Sequence, residues 1–268
     1  MMRLSLSGRL IEVRYRYCEM SVPEFLRFAR MCGYDAVELR ATQITADTTL
    51  EEVEGFRRVA DELGIGVSCC MPPGISADEE GLKGLEKFIP LAEMLRCDVL
   101  KVWVGEAGWL REACDLLEPH RMTLIVQTHT GGPFETVDSC LDAIARIGRD
   151  NFGLQYDPAN FFVARQDYGE EAVKRLGGHI RQLSVQNVRP AEPDEPDVME
   201  EDGFYYTRCL LGDPRGLDYG SVFRGLKEIG FEGYVVLNEP KSKLLPREEF
   251  ARRAAEELRK LLGKEASS

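Results

Sequence analysis

Strand-like and helix-like segments alternate along this chain from end to end, eight times in 268 residues. The strand candidates are short, mostly apolar runs: Arg3–Ser7, Ala36–Arg40, Gly66–Met71, Val99–Val104, Thr123–Thr128, Phe152–Tyr156, Ile180–Gln186 and Tyr234–Asn238. Helix-period segments, or room for a helix, follow each of them: Val22–Cys32, Leu50–Leu63, Asp78–Leu95, Gly108–Leu117, Phe134–Ile147, Gly169–Leu176, Tyr219–Ile229 and Arg247–Leu262.

Eight strand-helix units in a chain of this length predict a (β/α)8 TIM barrel, for which about 250 residues is typical. Ser21, Pro23 and Glu24 form a helix start signal, and glycines just beyond four helix candidates are typical of left-handed C-caps. Those glycines are Gly33, Gly64, Gly148 and Gly230. A doubly wound open sheet is the alternative, but its glycine-rich phosphate loop does not occur in the sequence. We therefore expect residues 1–268 to form a single barrel domain.

Charge and hydropathy narrow the class of protein further. The chain carries 34 Lys and Arg against 46 Asp and Glu, a net charge of -12, which disfavours nucleic acid as a partner. It has neither an apolar run of about 18 residues nor the apolar start of a signal peptide, so we expect a cytoplasmic protein that does not enter membranes. Eight cysteines without a C-x-x-C pair indicate reduced, buried thiols.

One connection is much longer than the others. It runs from Val188 to about Leu217 after the seventh strand. It contains a Pro-interrupted stretch with seven acidic residues between Glu192 and Asp202, and it includes the aromatic cluster Phe204-Tyr205-Tyr206. A loop of this length without an obvious element suggests a lid or a binding loop. A solvated acidic excursion on the surface is the alternative.

In a TIM barrel the functional side chains lie at the carboxyl ends of the strands and in the loops that follow. Besides Met71–Gly74 and Gly105, this rule selects twelve candidate site residues: Glu38, Arg40, Lys101, Trp103, Gln127, His129, Asp157, Asn160, Ser184, Gln186, Asn238 and Glu239. Arg40 and Lys101 offer positive charge to an anionic group, and Trp103 offers an apolar wall for a sugar ring. Pairing of Lys101 with Asp157 and of Arg40 with Glu38 inside the barrel is the alternative, and Asn160 could cap the following segment.

Several segments resemble the xylose isomerase-like TIM-barrel superfamily of sugar and sugar-phosphate isomerases and epimerases. They are Leu124-Ile-Val-Gln-Thr-His129-Thr-Gly-Gly, Phe152-Gly-Leu-Gln-Tyr-Asp157-Pro-Ala-Asn160, Leu211-Gly-Asp, Lys227-Glu-Ile-Gly-Phe-Glu-Gly-Tyr-Val-Val-Leu-Asn238-Glu239, Asp-Tyr-Gly220-Ser-Val-Phe and Gly33-Tyr-Asp-Ala-Val-Glu38-Leu-Arg40. The resemblance implies a divalent metal, Mn²⁺, Mg²⁺ or Zn²⁺, held by a Glu, an Asp, a His and a Glu on strands 5 to 8. The two Glu residues often act as acid and base in such proteins.

This chain departs from that ligand pattern. The four positions are occupied by Gln127, Asp157, Ser184 and Asn238, so that only Asp157 keeps the implied metal ligand. Amide and hydroxyl groups retain acceptor oxygens but carry no charge, and they cannot take up a proton as a carboxylate does. We therefore expect a neutral site that does not bind a divalent cation tightly, unless Glu239 or His129 compensates.

The resemblance implies an isomerase or epimerase acting on a small polyhydroxylated carbonyl compound. His129, Asp157, Glu239 and Lys101 would then move the protons, and the remaining candidates would bind the substrate. Two alternatives stay open, a small-molecule-binding or regulatory protein with a degenerate metal site and a lyase or hydrolase on the same scaffold. The family also allows a homo-oligomer assembled through its outer ring.

Overall fold

The computed structural model describes residues 1–263 and contains a closed barrel of eight parallel strands, which confirms the predicted TIM barrel. The barrel strands, labelled β1 to β8 in chain order, are Arg3–Ser7, Ala36–Leu39, Gly66–Cys70, Val99–Val102, Thr123–Gln127, Phe152–Tyr156, Ile180–Val185 and Tyr234–Leu237. Each strand pairs with its neighbours in the chain, and β1 closes the barrel by pairing with β8, Leu6 opposite Leu237. The carboxyl ends of all eight strands consequently meet at one mouth.

Nine α-helices surround the barrel in the described part of the chain. In chain order α1 to α9 are Val22–Met31, Leu50–Leu63, Glu79–Met94, Ala107–Leu117, Val137–Ile147, Pro158–Val163, Glu170–Leu176, Tyr219–Glu228 and Arg247–Leu262. Capping boxes at Ser21 and Thr49 start α1 and α2, and Gly64 and Gly148 end α2 and α5 in the left-handed conformation. Their local signals were therefore sufficient to predict these helix ends.

Two helix predictions need correction. The helix predicted from Phe134 begins at Val137, because the Thr136 side chain caps it through a capping box with Ser139. Phe134 instead lies in the preceding loop, with its ring centroid 6.1 Å from that of Phe152. The short helix α6 was not predicted, since six residues are too few to show a helical period.

The long connection after β7 is not devoid of secondary structure, contrary to the sequence-based expectation. It contains a three-stranded antiparallel sheet with strands Val188–Pro190, Met199–Glu201 and Phe204–Arg208. Its strands are only three to five residues long and are separated by prolines and acids, which hid their pattern in the sequence. We call residues 188–208 the inserted sheet.

The apolar core fills the space between the strands and the helices, whereas the barrel interior carries buried polar side chains. Ser5, Glu38, Lys101, Gln155 and Gln182 are all almost completely buried there. The eight cysteines are free thiols, and burial raises the pKa of Cys140 to about 12. No helix within residues 1–263 combines the length and apolarity needed to cross a bilayer.

Candidate active site at the barrel mouth

The four positions that correspond to metal ligands in the resemblance come together at the carboxyl ends of β5 to β8. Asp157 lies at their centre, completely buried. Its Oδ2 accepts hydrogen bonds from Gln127 Nε2 at 2.6 Å, from Ser184 Oγ at 2.7 Å and from Gln186 Nε2 at 2.7 Å. Three uncharged donors therefore surround one carboxylate oxygen.

The other oxygen of the Asp157 carboxylate accepts hydrogen bonds from backbone N–H groups. Asp157 Oδ1 accepts the N–H groups of Ala159 and Asn160 at 3.1 and 3.2 Å, so that the carboxylate caps α6. Pro158 occupies the first turn, where its missing N–H is not needed. The same Asp-Pro-Ala-Asn motif that suggested the family thus orients Asp157 by its own local structure.

Asn238, on the opposite side of this cluster, closes the network. Its Nδ2 donates to Gln127 Oε1 and to Ser184 Oγ, both at 3.2 Å. Its Oδ1 is buried and has no hydrogen-bond partner among residues 1–263. A buried acceptor without a partner costs about 1–3 kcal/mol, so this oxygen is poised for a donor supplied by a ligand.

These residues do not fit a divalent cation. The cluster supplies a single negative charge, and the amide N–H groups of Gln127 and Gln186 point at the carboxylate oxygen that a cation would need. Within residues 1–263 no group of three or more His, Cys, Asp and Glu side chains could hold a metal ion. Neither His129 nor Glu239 completes such a group.

Beneath Asp157, a second polar layer contains Lys101 and Glu38, whose side chains are fully buried. Lys101 Nζ lies 2.7 Å from Glu38 Oε2 and donates to Gln155 Oε1 at 2.9 Å. Burial alone raises the pKa of Glu38, but the charges of Lys101 and Arg40 outweigh it and hold that pKa below its ordinary value. The alternative pairing of Lys101 with Asp157 is therefore wrong. Because both side chains are fully buried in this pair, the structure supports neither the proton transfer predicted for Lys101 nor the substrate contact predicted for Glu38.

Arg40 does not pair with Glu38 as the sequence suggested, because a nearer carboxylate is available. Its Nη2 lies 3.2 Å from Glu12 Oε2, and Arg9 Nη1 lies 3.5 Å from the same oxygen. Thr42 Oγ1 donates to the other Glu12 oxygen at 2.7 Å. We call Arg9, Arg40 and Glu12 the arginine corner; it carries two guanidinium groups for one carboxylate.

A strained turn supports this corner. Arg14 and Tyr15 have φ angles of 50° and 57°, a left-handed conformation that costs an L-residue roughly 1–2 kcal/mol. The turn places the Tyr15 ring 4.2 Å from the Arg9 guanidinium carbon, a cation–π contact. Backbone strain of this kind is common at binding sites, where the surrounding structure maintains it.

The mouth itself contains a cavity of about 170 Å³. Among the residues that line it, those predicted from the sequence are Arg40, Trp103, Gln127, His129, Asn160, Gln186 and Asn238. Trp103 is 53% exposed, and its ring lies edge-on to His129 with the centroids 5.5 Å apart. Asn160 also donates to the Thr128 carbonyl at 2.8 Å, so its position is fixed.

The sequence-based reasoning missed some of the residues that line this cavity, above all Arg9, Tyr15 and Arg208, whereas Tyr206 belongs to the aromatic cluster of the predicted lid or binding loop. Arg9 follows β1 by two residues, so the strand-end rule could have selected it. Tyr206 and Arg208 come from the inserted sheet, whose placement over the mouth no local pattern indicates. The insertion therefore contributes to the mouth as the predicted binding loop would.

Glu239 is directed away from this cavity, contrary to its predicted catalytic role. It lines a separate cavity of about 650 Å³ between the inserted sheet and the segment after β8. Glu239 accepts the Asn187 N–H at 2.7 Å and pairs with Arg208. Burial raises the pKa of Glu239, and the Arg208 guanidinium opposes that rise without cancelling it.

Replacing Arg208 by Gln is expected to destabilise the protein by about 2 kcal/mol near neutral pH, because Glu239 remains buried without its cation. The estimate is at the low end because the Arg208 side chain is 34% exposed. A carboxyl whose folded pKa is raised binds more protons folded than unfolded, so the loss should shrink as the pH falls towards about 5. Urea unfolding at both pH values tests this, with Lys243→Gln as the control for an exposed ion pair. An equal loss at both pH values would contradict it.

A family model described as a xylose isomerase-like TIM barrel matches residues 26–261. A 3-dehydroshikimate dehydratase of Bacillus anthracis is 20% identical over 204 residues, covering 68% of this chain and 72% of the dehydratase.

Solved structures of two further proteins are similar. A xylose isomerase domain protein from Alicyclobacillus acidocaldarius has a TM-score of 0.77 and 19% identity, over 98% of this chain and 99% of its own. A D-psicose 3-epimerase, crystallised in the presence of D-fructose, has a TM-score of 0.76 and 14% identity over 98% and 100% of the two chains. Identities this low establish a shared fold and leave the activity to the residues of the mouth.

Proposed function

The chain belongs to the xylose isomerase-like TIM barrel family, and from that premise we propose that its mouth binds a small polyhydroxylated carbonyl compound without a divalent cation. The observation that carries the proposal is the hydrogen-bond network around Asp157. Gln127, Ser184 and Asn238 occupy the positions of metal ligands. Gln127 and Ser184 donate to the carboxylate in place of a cation, and Asn238 donates to both of them. The protein is thus a binding member of its family, in which the metal-assisted proton transfer of an isomerase or epimerase has no support.

The chemistry of the cavity suits such a ligand. Its amide groups offer donors and acceptors to hydroxyls, and the Trp103 ring offers a flat apolar face. A volume of about 170 Å³ is below the roughly 300–1,000 Å³ of pockets for drug-sized ligands, which favours a compound of few carbon atoms.

A second candidate is a metal-free isomerase, epimerase or dehydratase in which His129 is the base. His129 Nδ1 lies 3.2 Å from the Thr130 carbonyl oxygen and 3.3 Å from Thr130 Oγ1. In the tautomer whose Nδ1 donates to the carbonyl, the Nε2 lone pair is free to accept a proton. The 20% identity to the dehydratase of Bacillus anthracis supports including a lyase, which would abstract a proton from its substrate, in this second candidate. Asp157 is less suited to this role because both its oxygens already accept hydrogen bonds.

The test uses chelator-treated protein and a panel of ketoses with four to six carbons, D-ribulose among them. We expect quenching or enhancement of Trp103 fluorescence on binding, lost in Trp103→Phe and kept in Trp109→Phe. In D2O, NMR should show no exchange of the hydrogens next to the ketose carbonyl if the protein only binds. Exchange that disappears in His129→Gln would establish the second candidate instead, and the absence of binding by every ketose would overturn the proposal.

A further inference from the structure

We infer that the arginine corner is an anion subsite, so that the ligand of the mouth is a small polyhydroxylated compound bearing a carboxylate or a phosphate group. This inference rests on the proposed function and narrows its substrate class. It follows from three independent features of the mouth: an imbalance of charge, an unsatisfied guanidinium and an unsatisfied amide oxygen.

The charges of the arginine corner do not balance. Arg9 and Arg40 share the single carboxylate of Glu12, which leaves one positive charge in excess. The other cation near Arg40, Lys101, is already matched by Glu38. The excess is local to the arginine corner, since the Glu201 carboxylate also lines the cavity, and it favours an anionic group that lies against Arg9 and Arg40.

The hydrogen bonds of Arg40 are also incomplete. Its residue is only 5% exposed, yet its Nε has no partner among the described residues. Its Nη1 contacts the Met71 sulfur at 2.9 Å, a weak acceptor, and only Nη2 faces Glu12. Arg40 lines the cavity, and a guanidinium with incomplete hydrogen bonding is suited to a carboxylate or phosphate, which accept two parallel N–H groups.

The third feature, the unsatisfied Asn238 oxygen, indicates which functional group the ligand carries besides the anionic group. Asn238 Oδ1, buried along the same cavity, lacks a partner within residues 1–263 and requires a hydrogen-bond donor. Carboxylates and phosphates are acceptors at neutral pH, so the anionic group itself cannot satisfy this oxygen. A ligand hydroxyl satisfies it, which requires a compound that carries both an anion and a hydroxyl group.

The position of Asp157 sets the orientation of this ligand. Arg40 follows β2 and Asp157 follows β6, and these strands are four apart in the closed barrel in either direction, so they face each other. An anionic group on the arginine corner therefore lies on the side of the mouth away from the Asp157 carboxylate. The hydroxylated part of the ligand then lies over the amides of Gln127 and Asn238.

The experiment compares three probes by calorimetry: neutral D-ribulose, D-ribulose 5-phosphate and D-ribonate. We expect at least one anionic probe to bind about 10-fold more tightly than D-ribulose, and increasing NaCl to weaken only the anionic probes. The phosphate and carboxylate arms identify which anion the corner prefers. Arg9→Gln should lower the ratio of anionic to neutral affinity about 10-fold, whereas Arg252→Gln, which changes an arginine on α9, should leave that ratio unchanged.

Arg40→Lys provides a second variant in case the loss of one charge near Glu12 impairs folding. It keeps the charge and removes the paired N–H geometry, so a several-fold loss of anionic affinity is expected in folded protein. Equal binding of the neutral and anionic probes, or anionic affinity unchanged in both Arg9→Gln and Arg40→Lys, would overturn the subsite while the proposed function stands. Failure of all three probes, together with failure of every ketose in the panel above, would overturn both.

Discussion

A variant carrying Gln127→Glu and Asn238→Asp is expected to bind Mn²⁺ at least about 100-fold more tightly than the unsubstituted protein, because it presents three carboxylates where the protein presents one. Both replacements are nearly isosteric, and both side chains already lie within one hydrogen-bonded cluster with Asp157 and Ser184. Without metal, the three clustered negative charges should destabilise the fold. Mn²⁺ at about 100 times its Kd should raise the free energy of unfolding of the variant by about 2.7 kcal/mol.

Calorimetric titration of chelator-treated protein with Mn²⁺ measures the affinity, and thermal unfolding with and without Mn²⁺ measures the linked stability. Gln166→Glu, an exposed substitution on the surface, controls for a nonspecific increase in negative charge. We expect the unsubstituted protein to show no stoichiometric binding at micromolar Mn²⁺. Tight stoichiometric binding by the unsubstituted protein that is lost in Asp157→Ala would contradict the metal-free site we propose.

Lys101→Met is expected to destabilise the protein by about 3–5 kcal/mol, since it leaves the Glu38 carboxylate buried without its cation. Both side chains are fully buried inside the barrel, where water cannot replace the lost partner. Adding Glu38→Gln to this variant should recover most of the loss, because an uncharged amide needs no counterion. Chemical denaturation of the two single variants and the double variant gives the coupling energy directly.

The pH dependence should also change sign in this series. In the unsubstituted protein the lowered pKa of Glu38 contributes stability above about pH 4.3, where an unfolded Glu titrates, and that contribution is lost as the pH falls. In Lys101→Met, protonation of Glu38 as the pH falls should instead reduce the loss of stability, because the buried carboxyl group is then uncharged. Lys83→Met, which removes an exposed lysine paired with Glu79 and Glu80 on α3, should cost much less stability than Lys101→Met. A loss of similar size for Lys83→Met and Lys101→Met would contradict the argument.

The barrel could be predicted because its determinants are local. Eight alternations of strand and helix patterning, with caps such as Ser21 and Gly64, leave few architectures for the chain. The inserted sheet was only partly predictable. Asp202-Gly203 is a local hairpin signal between its second and third strands, whereas its first strand is held by pairing between residues distant in sequence, such as Val188 with Arg208. Pairing of this kind has no period in the sequence that a local pattern can show.

The mouth was only partly predictable, for a related reason. The strand-end rule selected Gln127, Asp157 and Asn238, whose positions follow from the barrel alone. The ion-pair partners of these residues were harder to infer than their positions at the strand ends, because the nearest opposite charge depends on three-dimensional distance. Arg40 therefore forms its ion pair with Glu12, and Lys101 forms its ion pair with Glu38.

The sequence by itself determined the closed barrel, the family and the loss of charge at three ligand positions, because patterning, caps and residue types are properties of the chain that tertiary contacts only assemble. The tertiary structure decided that Glu239 turns away from the mouth and that Arg9 and Arg208 reach it. It also decided which donors satisfy Asp157 and which polar atoms are left without partners. Burial and hydrogen bonding depend on the arrangement of all neighbouring groups at once, and that arrangement exists only in the folded protein.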